Sequence, residues 1–429
     1  MEPHKPGDDT HARGARNPKE NKGPSLPRGV FSSPHIFTGR SSARIMWLVS
    51  LCLLPAALWA VWLYGWPALR VLLLSILSCA GTEALLKLLT GRENRLYQDR
   101  PRKIIWTLDD GSAVLSGLLL GMNLSPSVAW YIPVFGGIFA MAVCKWSFGG
   151  LGANWVNPAL AGRAFLFFSF GREMAHWSPP HRVWRHGGLQ NFDADTVASP
   201  LTVFKEELLR ARSGEPAPAP DAGVGSALQS WGEAMHLQDL QDLQGLQGGQ
   251  DPVHQGQSLL NLLYGFHSGS IGESAALILL GGLFLWALRI ISWHIPLAFL
   301  GSFALLTWVF GGLYQGLGLF SGEVLFHLLS GGIMLGAWFM ATDYPGCPKM
   351  PAGKLIFGLG CGGLTFLIRF YGSYPEGVML AILFMNIWTP TLDILIQPRI
   401  FGSGRLGSKR AGSGQKKAVR RNRLRLPGY

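Results

Sequence analysis

The sequence predicts an all-α integral membrane protein of about ten transmembrane helices, arranged as two inverted five-helix repeats with short or broken helices. Composition is the first observation: only 14% of the 429 residues are charged and 56 are glycine, whereas soluble domains average about 25% charged residues and about 7% glycine. The second is a series of apolar runs, several of them long enough to cross a bilayer. A collagen, a disordered chain and an ordinary soluble enzyme are all poor matches to this pattern.

Ten apolar runs are candidates for the helices, five on each side of a long polar stretch. An odd number of spans in each half makes the two halves enter the membrane from opposite sides, which is the arrangement of an inverted repeat. The runs of the first half are Ile45–Gly65, Trp66–Thr90, Gly111–Leu124, Ala129–Phe148 and Pro158–Phe170. The runs of the second half are Ser274–Ile291, Ile295–Gly312, Val324–Met340, Leu355–Phe370 and Gly377–Leu395.

Charge divides the chain into five predicted regions. A basic tail at 1–44 holds eight Lys/Arg and four Asp/Glu, and a second at 403–429 holds nine Lys/Arg and no acid. Lys and Arg concentrate on the cytoplasmic side of membrane proteins, so we expect both termini in the cytoplasm. The five-helix repeats then occupy 45–171 and 274–402, and the loop 172–273 lies on the outer side, with a low-complexity insert at 214–256.

The sequence disfavours two other functions, nucleic-acid binding by the basic residues and metal binding by the cysteines. The C-terminal basic run lacks interleaved aromatic residues and follows a membrane span, so no nucleic-acid partner is expected. The five cysteines show no CxxC spacing, and four lie in apolar runs. That distribution is typical of buried thiols and predicts no metal site.

Acidic residues within apolar runs are candidates for function because burying a charge in a membrane is costly. Glu83 lies four residues before Lys87, so it either forms an i,i+4 ion pair near the cytoplasmic end of the helix or supplies a carboxylate to a cation pathway. Asp343 ends the eighth run beside Gly and Pro residues, and Asp393 lies in the last turns of the tenth. A helix end in such a loop can present carbonyls and a carboxylate to a small cation.

Two further charged residues have simpler explanations available. Glu376 precedes the tenth run, where stabilisation by the helix dipole is a sufficient reason for a carboxylate. Arg163 lies inside the short fifth run. It is either a structural partner for one of the acids or a contact for an anionic ligand.

Two irregular segments leave open alternatives. Gly149–Pro158 is rich in Gly and Asn and breaks the chain between the fourth and fifth runs. Such a break at membrane depth must line a cavity or be buried in protein, so a ligand site and a packing role are both consistent with it. The segment 193–201 is either an ordinary loop that caps a helix at Pro200–Arg212 or a hydroxyl-bearing helix start that holds a phosphate.

Several strings taken together resemble one family, formed by the B subunit of the sodium-translocating NADH:quinone oxidoreductase and the D subunit of the Rnf electron-transport complex. They occur in the family's order and cover most of 44–402. The matching strings are Arg44–Met46, Asp110–Ala113, Phe148–Gly152, Asn157–Phe165, Gly269–Glu273, Phe339–Asp343 and Tyr374–Gly377.

The resemblance implies FMN bound through a phosphoester to a hydroxyl side chain. The family's acceptor motif, Asp-Gly-x-Ser/Thr-Gly-Ala-Thr, matches residues 193–199. Ser199 would be the acceptor, with Thr196 and Asp193 supporting recognition by a flavin transferase. Ala194 and Val197 replace both glycines of the motif, which puts recognition by that enzyme in doubt.

The resemblance also implies a component of a multi-subunit oxidoreductase of the bacterial inner membrane, with electrons entering and leaving through the other subunits. Within the family, acids like Glu83, Asp343 and Asp393 are linked to sodium uptake, although Tyr344 here separates Asp343 from the usual proline. We expect transport of Na⁺ or H⁺.

Three assignments of function follow from this resemblance. The sequence favours the NADH:quinone branch, for which the resemblance implies non-covalent riboflavin and a quinone. The alternative is the D subunit of an Rnf-type ferredoxin:NAD oxidoreductase. A further alternative is an inverted-repeat channel or transporter without covalent flavin.

Overall fold

The computed structural model describes residues 41–90, 110–150, 152–154, 156–177, 180, 199–202, 204–205, 259–315, 318–372 and 374–397. The described residues form helices, turns and loops, with no β-strand among them. Five of the helices are long and apolar enough to cross a membrane. An all-α membrane protein is therefore confirmed. The predicted basic tails, apart from 41–44, and most of the loop 172–273 lie outside the described residues.

The helices of the first half follow the predicted runs closely. They are α1 (Ser42–Tyr64), α2 (Trp66–Thr90), α3 (Ser112–Met122), α4 (Tyr131–Phe139), α5 (Pro158–Ser169) and the short α6 (Gly171–Met174). A π-helical turn, Ala140–Trp146, continues α4. The third run forms a helix of only 11 residues.

The helices of the second half are α7 (Ala275–Ala287), α8 (His294–Phe310), α9 (Val324–Leu329), α10 (Ile333–Leu335), α11 (Pro351–Tyr371) and α12 (Val378–Leu395). A 3₁₀ turn, Gly311–Gln315, extends α8, and a π-helical turn, Gly336–Met340, extends α10. The predicted eighth span, Val324–Met340, is therefore two helical pieces and not one.

Gly331 explains the break between α9 and α10. Its φ of 73° is in the left-handed region, which side chains with a Cβ rarely adopt. A Cβ at this position would also lie only 2.6 Å from a side-chain carbon of Leu201. The continuous apolar pattern concealed this interruption because hydropathy does not report backbone conformation.

Local chemistry fixes where α5 begins. The side chain of Asn157 accepts hydrogen bonds from the backbone N–H groups of Ala159, at 3.0 Å, and Leu160, at 3.4 Å. Pro158 occupies the first helical position, where a missing N–H is not costly. The break between the fourth and fifth spans therefore ends in a capped helix start.

The helices of each half pack mainly against one another. In the first half α2 lies against α3 and α4, and in the second α8 lies against α11. Between the halves, α1 contacts α7 and α5 contacts α12. Large apolar side chains point outward from these helices, among them Leu51, Leu58, Leu77 and Leu88, as expected of surfaces that face lipid.

Candidate functional site

Glu83 has both carboxylate oxygens engaged by lysines. Oε1 lies 2.8 Å from Nζ of Lys87 and Oε2 lies 2.6 Å from Nζ of Lys145. The ion pair with Lys87 confirms one of the two sequence interpretations. Lys145 is in the π-helical turn after α4 and was not predicted as a partner, although a lysine inside an apolar run was a visible signal.

The contacts of Glu83 continue to the start of α3. Lys145 Nζ also donates to the Ser112 hydroxyl, at 2.6 Å, which in turn donates to Asp110 Oδ1, at 2.8 Å. Glu83, Lys145 and Ser112 are all buried. We call Glu83, Lys87, Lys145, Ser112 and Asp110 the lysine cluster. Its two lysines and two acids balance in charge, and it joins α2, α3 and α4.

Asp343 has different surroundings. It follows the π-helical turn that extends α10, and the Asn154 side chain and the Tyr344 backbone lie close enough to interact electrostatically with its carboxylate. Its second oxygen, Oδ2, is buried and has no hydrogen-bond partner among the described residues. A buried carboxylate oxygen without a partner is unusual in a folded protein, and it could serve as a ligand for a cation.

The break before α5 lies against the loop that contains Asp343. Asn157 Nδ2 donates to the Met340 carbonyl, at 3.2 Å. With its amide in the orientation that satisfies hydrogen bonding, Asn386 of α12 donates to the Gly346 carbonyl and accepts from the Asn157 N–H, both at 3.1 Å. The break therefore packs the two halves together and also supplies Asn154 to Asp343.

Asp393 lies close to the same loop. Its Oδ1 accepts a hydrogen bond from the Lys349 backbone N–H, at 3.0 Å, in an exposed position. The Cys347 thiol is within electrostatic reach of Asp343, Asp393 and Lys354. The structure thus brings Asp343 and Asp393 to one loop, 341–350, whereas Glu83 belongs to the separate lysine cluster. An ion-pathway role for these three acids stays a prediction.

A third group of charges lies where the two halves meet. Arg163 of α5 forms an ion pair with Glu376, which precedes α12. Nη1 of Arg163 also donates to the Asn123 side-chain oxygen, at 2.9 Å. Arg163 is therefore a partner of an acid, as one sequence interpretation held, but that acid is Glu376. Glu376 therefore forms an ion pair between the two halves, in addition to lying just before the start of α12.

Arg369 of α11 was missed by sequence reasoning. It is almost fully buried, and its guanidinium donates to the carbonyls of His327, at 2.5 Å, and Ser330, at 3.4 Å. The same group lies 5.1 Å from the centre of the Phe303 ring. Arg369 thus satisfies the carbonyls that the break after α9 leaves without helical partners. An arginine in a glycine-rich apolar run was the only signal for it.

Ser199 caps the helical residues that follow it, 200–202 and 204–205. Its Oγ accepts a hydrogen bond from the Thr202 N–H, at 3.2 Å, and lies 2.8 Å from the Thr202 hydroxyl. This confirms the capping interpretation of the segment. Asp193 and Thr196, the predicted supporting residues, lie outside the described residues.

The segment after Ser199 is attached to the second half. Lys205 Nζ donates to the carbonyl of Arg369, at 3.0 Å, and to that of Phe370, at 3.4 Å. These carbonyls belong to the last turn of α11, where a cation also interacts favourably with the helix dipole. The predicted flavin-attachment residue is therefore held next to the helix that carries Arg369.

Comparison with known proteins gives consistent results across almost the whole chain. The sequence profile described as the NQR2, RnfD, RnfE family matches residues 29–402. The chain is 37% identical to the D subunit of a proton-translocating ferredoxin:NAD(+) oxidoreductase complex of Clostridium ljungdahlii, over 88% of this chain and 96% of that one.

Two further relatives are similar over comparable lengths. The D subunit of a Na(+)-translocating ferredoxin:NAD(+) oxidoreductase complex of Acetobacterium woodii is 35% identical, with 87% of this chain and 95% of the relative covered. The D subunit of an ion-translocating oxidoreductase complex of Stutzerimonas stutzeri is 39% identical, with 86% and 94% covered. This chain therefore belongs to the NQR2, RnfD, RnfE family.

Proposed function

We propose that this chain is the D subunit of an Rnf-type complex of the bacterial inner membrane, which couples electron transfer from ferredoxin to NAD to ion translocation. The observation that carries the proposal is 35–37% identity to D subunits of two ferredoxin:NAD(+) oxidoreductase complexes over nearly their full length. The sequence-based preference for the NADH:quinone branch has no support among these relatives. Quinone and non-covalent riboflavin remain expectations of that branch.

The partners that this proposal implies are the other subunits of the complex. They would have to supply the nicotinamide site. They would also have to supply the iron–sulfur centres, because this chain has no cysteine motif for such centres. A direct test measures NAD reduction by reduced ferredoxin in membranes that contain the complete complex. We expect activity that depends on this protein. If the complex instead oxidised NADH with quinone and did not reduce NAD with ferredoxin, the Rnf assignment would be contradicted.

We further propose that the two halves are inverted repeats with both termini in the cytoplasm. Their contacts correspond: α2 with α4 matches α8 with α11, and α1 with α3 matches α7 with α10. The contacts between the halves join first helix to first helix, α1 with α7, and last to last, α5 with α12. A pseudo-two-fold relation between five-helix units accounts for all of these pairs.

For the ion route, we propose that Asp343 is a ligand of the translocated cation and that Asp393 attracts the cation to the same loop. The unused Oδ2 of Asp343 supports the first role. The partly exposed position of Asp393 supports the second. Glu83 could contact a cation only if one of its two lysines moved away.

For the flavin, we propose covalent FMN at Ser199. The residues present are compatible with a phosphoester, because the Thr202 N–H and hydroxyl that now contact Oγ could donate to phosphate oxygens instead. A bound flavin would supply one- and two-electron chemistry. Lys205 would hold the modified segment against the end of α11.

The experiment for the flavin uses the complex co-expressed with a flavin transferase and separated on a denaturing gel. We expect the band of this chain to fluoresce, and Ser199→Ala to abolish the signal. Ser321→Ala is the matched control, since that hydroxyl lies on a different loop. A fluorescent Ser199→Ala chain would contradict the acceptor assignment. A wild-type chain without fluorescence would favour the alternative of a channel or transporter without covalent flavin.

A further inference from the structure

Gly331 lies in the break between α9 and α10, and three side chains meet where it has no Cβ. A Cβ at this position would lie 2.6 Å from Leu201 Cδ1 and 3.3 Å from both Arg369 Nη2 and Glu376 Oε1. We call residues 199–205, as far as they are described, the flavin segment. Its Leu201 is 3% exposed, so the flavin segment touches the broken span directly, next to Glu376.

The flavin segment is held in place by buried contacts with α9 and α11. The ring centre of Phe204 lies 4.7 Å from that of His327 in α9 and 5.8 Å from that of Phe370 in α11. Lys205, which is 5% exposed, donates to two carbonyls at the end of α11. Because side chains in such a packed interior have little free space, a shift of the flavin segment has to displace the residues around the break as well.

Glu376 extends these contacts to the other half of the molecule. Its Oε1 lies near Gly331, while its Oε2 forms the ion pair with Nη2 of Arg163 on α5. The other terminal nitrogen of that guanidinium, Nη1, donates to the Asn123 side-chain oxygen at the end of α3, at 2.9 Å. Glu376 and Arg163 together therefore connect the broken span of the second half to α3 and α5 of the first.

Asn123 returns the contacts to the second half, close to the proposed cation ligand. Its Nδ2 donates to Met340 Sδ, at 3.6 Å. The Met340 carbonyl accepts a hydrogen bond from Asn157 Nδ2, at 3.2 Å. Met340 ends the π-helical turn and lies three residues before Asp343, at the start of the loop 341–350, which we call the cation loop. A series of direct contacts thus runs from the flavin segment to the cation loop.

The short helical piece between the break and the cation loop is suited to carry a displacement. It comprises α10 and the π-helical turn, from Ile333 to Met340. The flavin segment contacts the chain just before this piece, at Gly331, and Asn123 and Asn157 contact its last residue. Glycine can absorb changes in backbone angles, and π-helical turns are rare and frequently occur at functional sites. The break therefore provides a hinge at one end of this piece.

We propose that Glu376 and Arg163 are positioning residues that couple the flavin segment to the cation loop. The inference rests on the proposed function, because it connects the proposed flavin and cation sites. A displacement of Leu201 against Gly331 moves Glu376, and the ion pair transmits this movement through α3 to Met340. Ion affinity at the cation loop then depends on the state of the flavin segment, which is the coupling that translocation requires.

A purely structural role for the ion pair makes a different prediction. Replacing a buried ion pair with apolar residues of similar volume is often neutral for stability or increases it. The double variant Arg163→Met/Glu376→Leu therefore removes the proposed connection without leaving either charge without its partner. If the pair only stabilised the fold, this variant would move ions as the wild type does.

Ion transport in proteoliposomes that contain the whole complex separates the two roles. We expect the double variant to lower the number of ions moved per electron transferred by about tenfold, with thermal stability and in-gel flavin fluorescence close to those of the wild type. Glu323→Gln is the control, since Glu323 is an exposed acid before α9. An unchanged ratio in the double variant overturns the coupling and leaves the proposed function intact. A wild-type complex that transfers electrons without moving ions contradicts the proposed function itself.

Hydrogen–deuterium exchange of the purified complex tests the two ends of the series without changing the ion pair. Leu201→Ala removes the contact over Gly331, and Asn123→Ala removes the contact with Met340. We expect each to raise amide exchange in residues 333–347 by about tenfold. Leu260→Ala is the control, because that side chain is 52% exposed. Exchange at the wild-type rate in either variant overturns the proposal, and this result decides where the double variant does not assemble.

Discussion

Glu83 and Asp343 are both acids in or next to apolar runs, but the structure surrounds them differently. Two lysines hold both oxygens of Glu83, at 2.8 and 2.6 Å. Asp343 forms no ion pair among the described residues, and its Oδ2 has no hydrogen-bond partner there. The first carboxylate is neutralised by fixed cations, whereas the second has no fixed cation paired with it among the described residues.

This difference indicates how the two groups divide between stability and ion binding. An acid that is fully paired inside a protein is costly to disturb, because removing one partner leaves uncompensated buried charge. An acid with a free oxygen can bind and release a cation without breaking an existing bond. A small hard cation such as Na⁺ prefers oxygen ligands of this kind.

The largest effect is expected from Glu83→Gln. It leaves two lysines without their counter-ion in the interior, so the free energy of unfolding should fall by about 3–5 kcal/mol. The measurement is thermal or denaturant unfolding of the purified complex. Adding Lys145→Met should restore part of the loss, since it removes one of the unpaired cations. A stable Glu83→Gln complex with altered cation affinity would break the comparison, because Glu83 would then behave as a ligand.

The second-largest effect is expected from Asp343→Asn. The substitution keeps the shape and the hydrogen-bonding oxygen but removes the charge, so the apparent affinity for the translocated cation should fall by about 10- to 100-fold. Stability should change little, since no ion pair is broken. Electron transfer measured as a function of Na⁺ concentration and of pH distinguishes the two candidate ions. An unchanged affinity would show that the free oxygen is not a ligand.

A smaller effect is expected from Asp393→Asn. The amide still accepts the Lys349 N–H, and the lost charge is partly exposed, so its contribution to attracting a cation is worth about 0–1 kcal/mol. Apparent affinity should fall no more than about fivefold. The effect should shrink as choline chloride raises the ionic strength, because salt screens exposed charges. A loss as large as that of Asp343→Asn would make Asp393 a direct ligand.

Much of the fold was predictable because hydropathy and helix caps are local signals. The start of α2 at Trp66 and of α5 at Pro158 were predicted to the residue. The break after α9 was missed, since Gly331 sits in a run that is apolar throughout. The short α3 also ends before the apolar pattern does.

The candidate site was less predictable because its partners are distant in the sequence. Glu83 and Lys87 are one helical turn apart, and that pair was foreseen. Lys145 is 62 residues from Glu83, and Glu376 is 213 residues from Arg163. Composition gives no means of pairing such residues, since each arginine or lysine in an apolar run is compatible with several acids.

The sequence by itself determined an all-α membrane protein, the number and approximate bounds of its apolar runs, and its resemblance to the family, because these depend on local hydropathy and on contiguous motifs. The tertiary structure decided which charges neutralise one another. It joined Glu83 to Lys145 and Arg163 to Glu376, and it left Asp343 with an unused oxygen. The physical reason is that the cost of a buried charge depends on the groups within a few ångströms, and packing of the helices alone sets those neighbours.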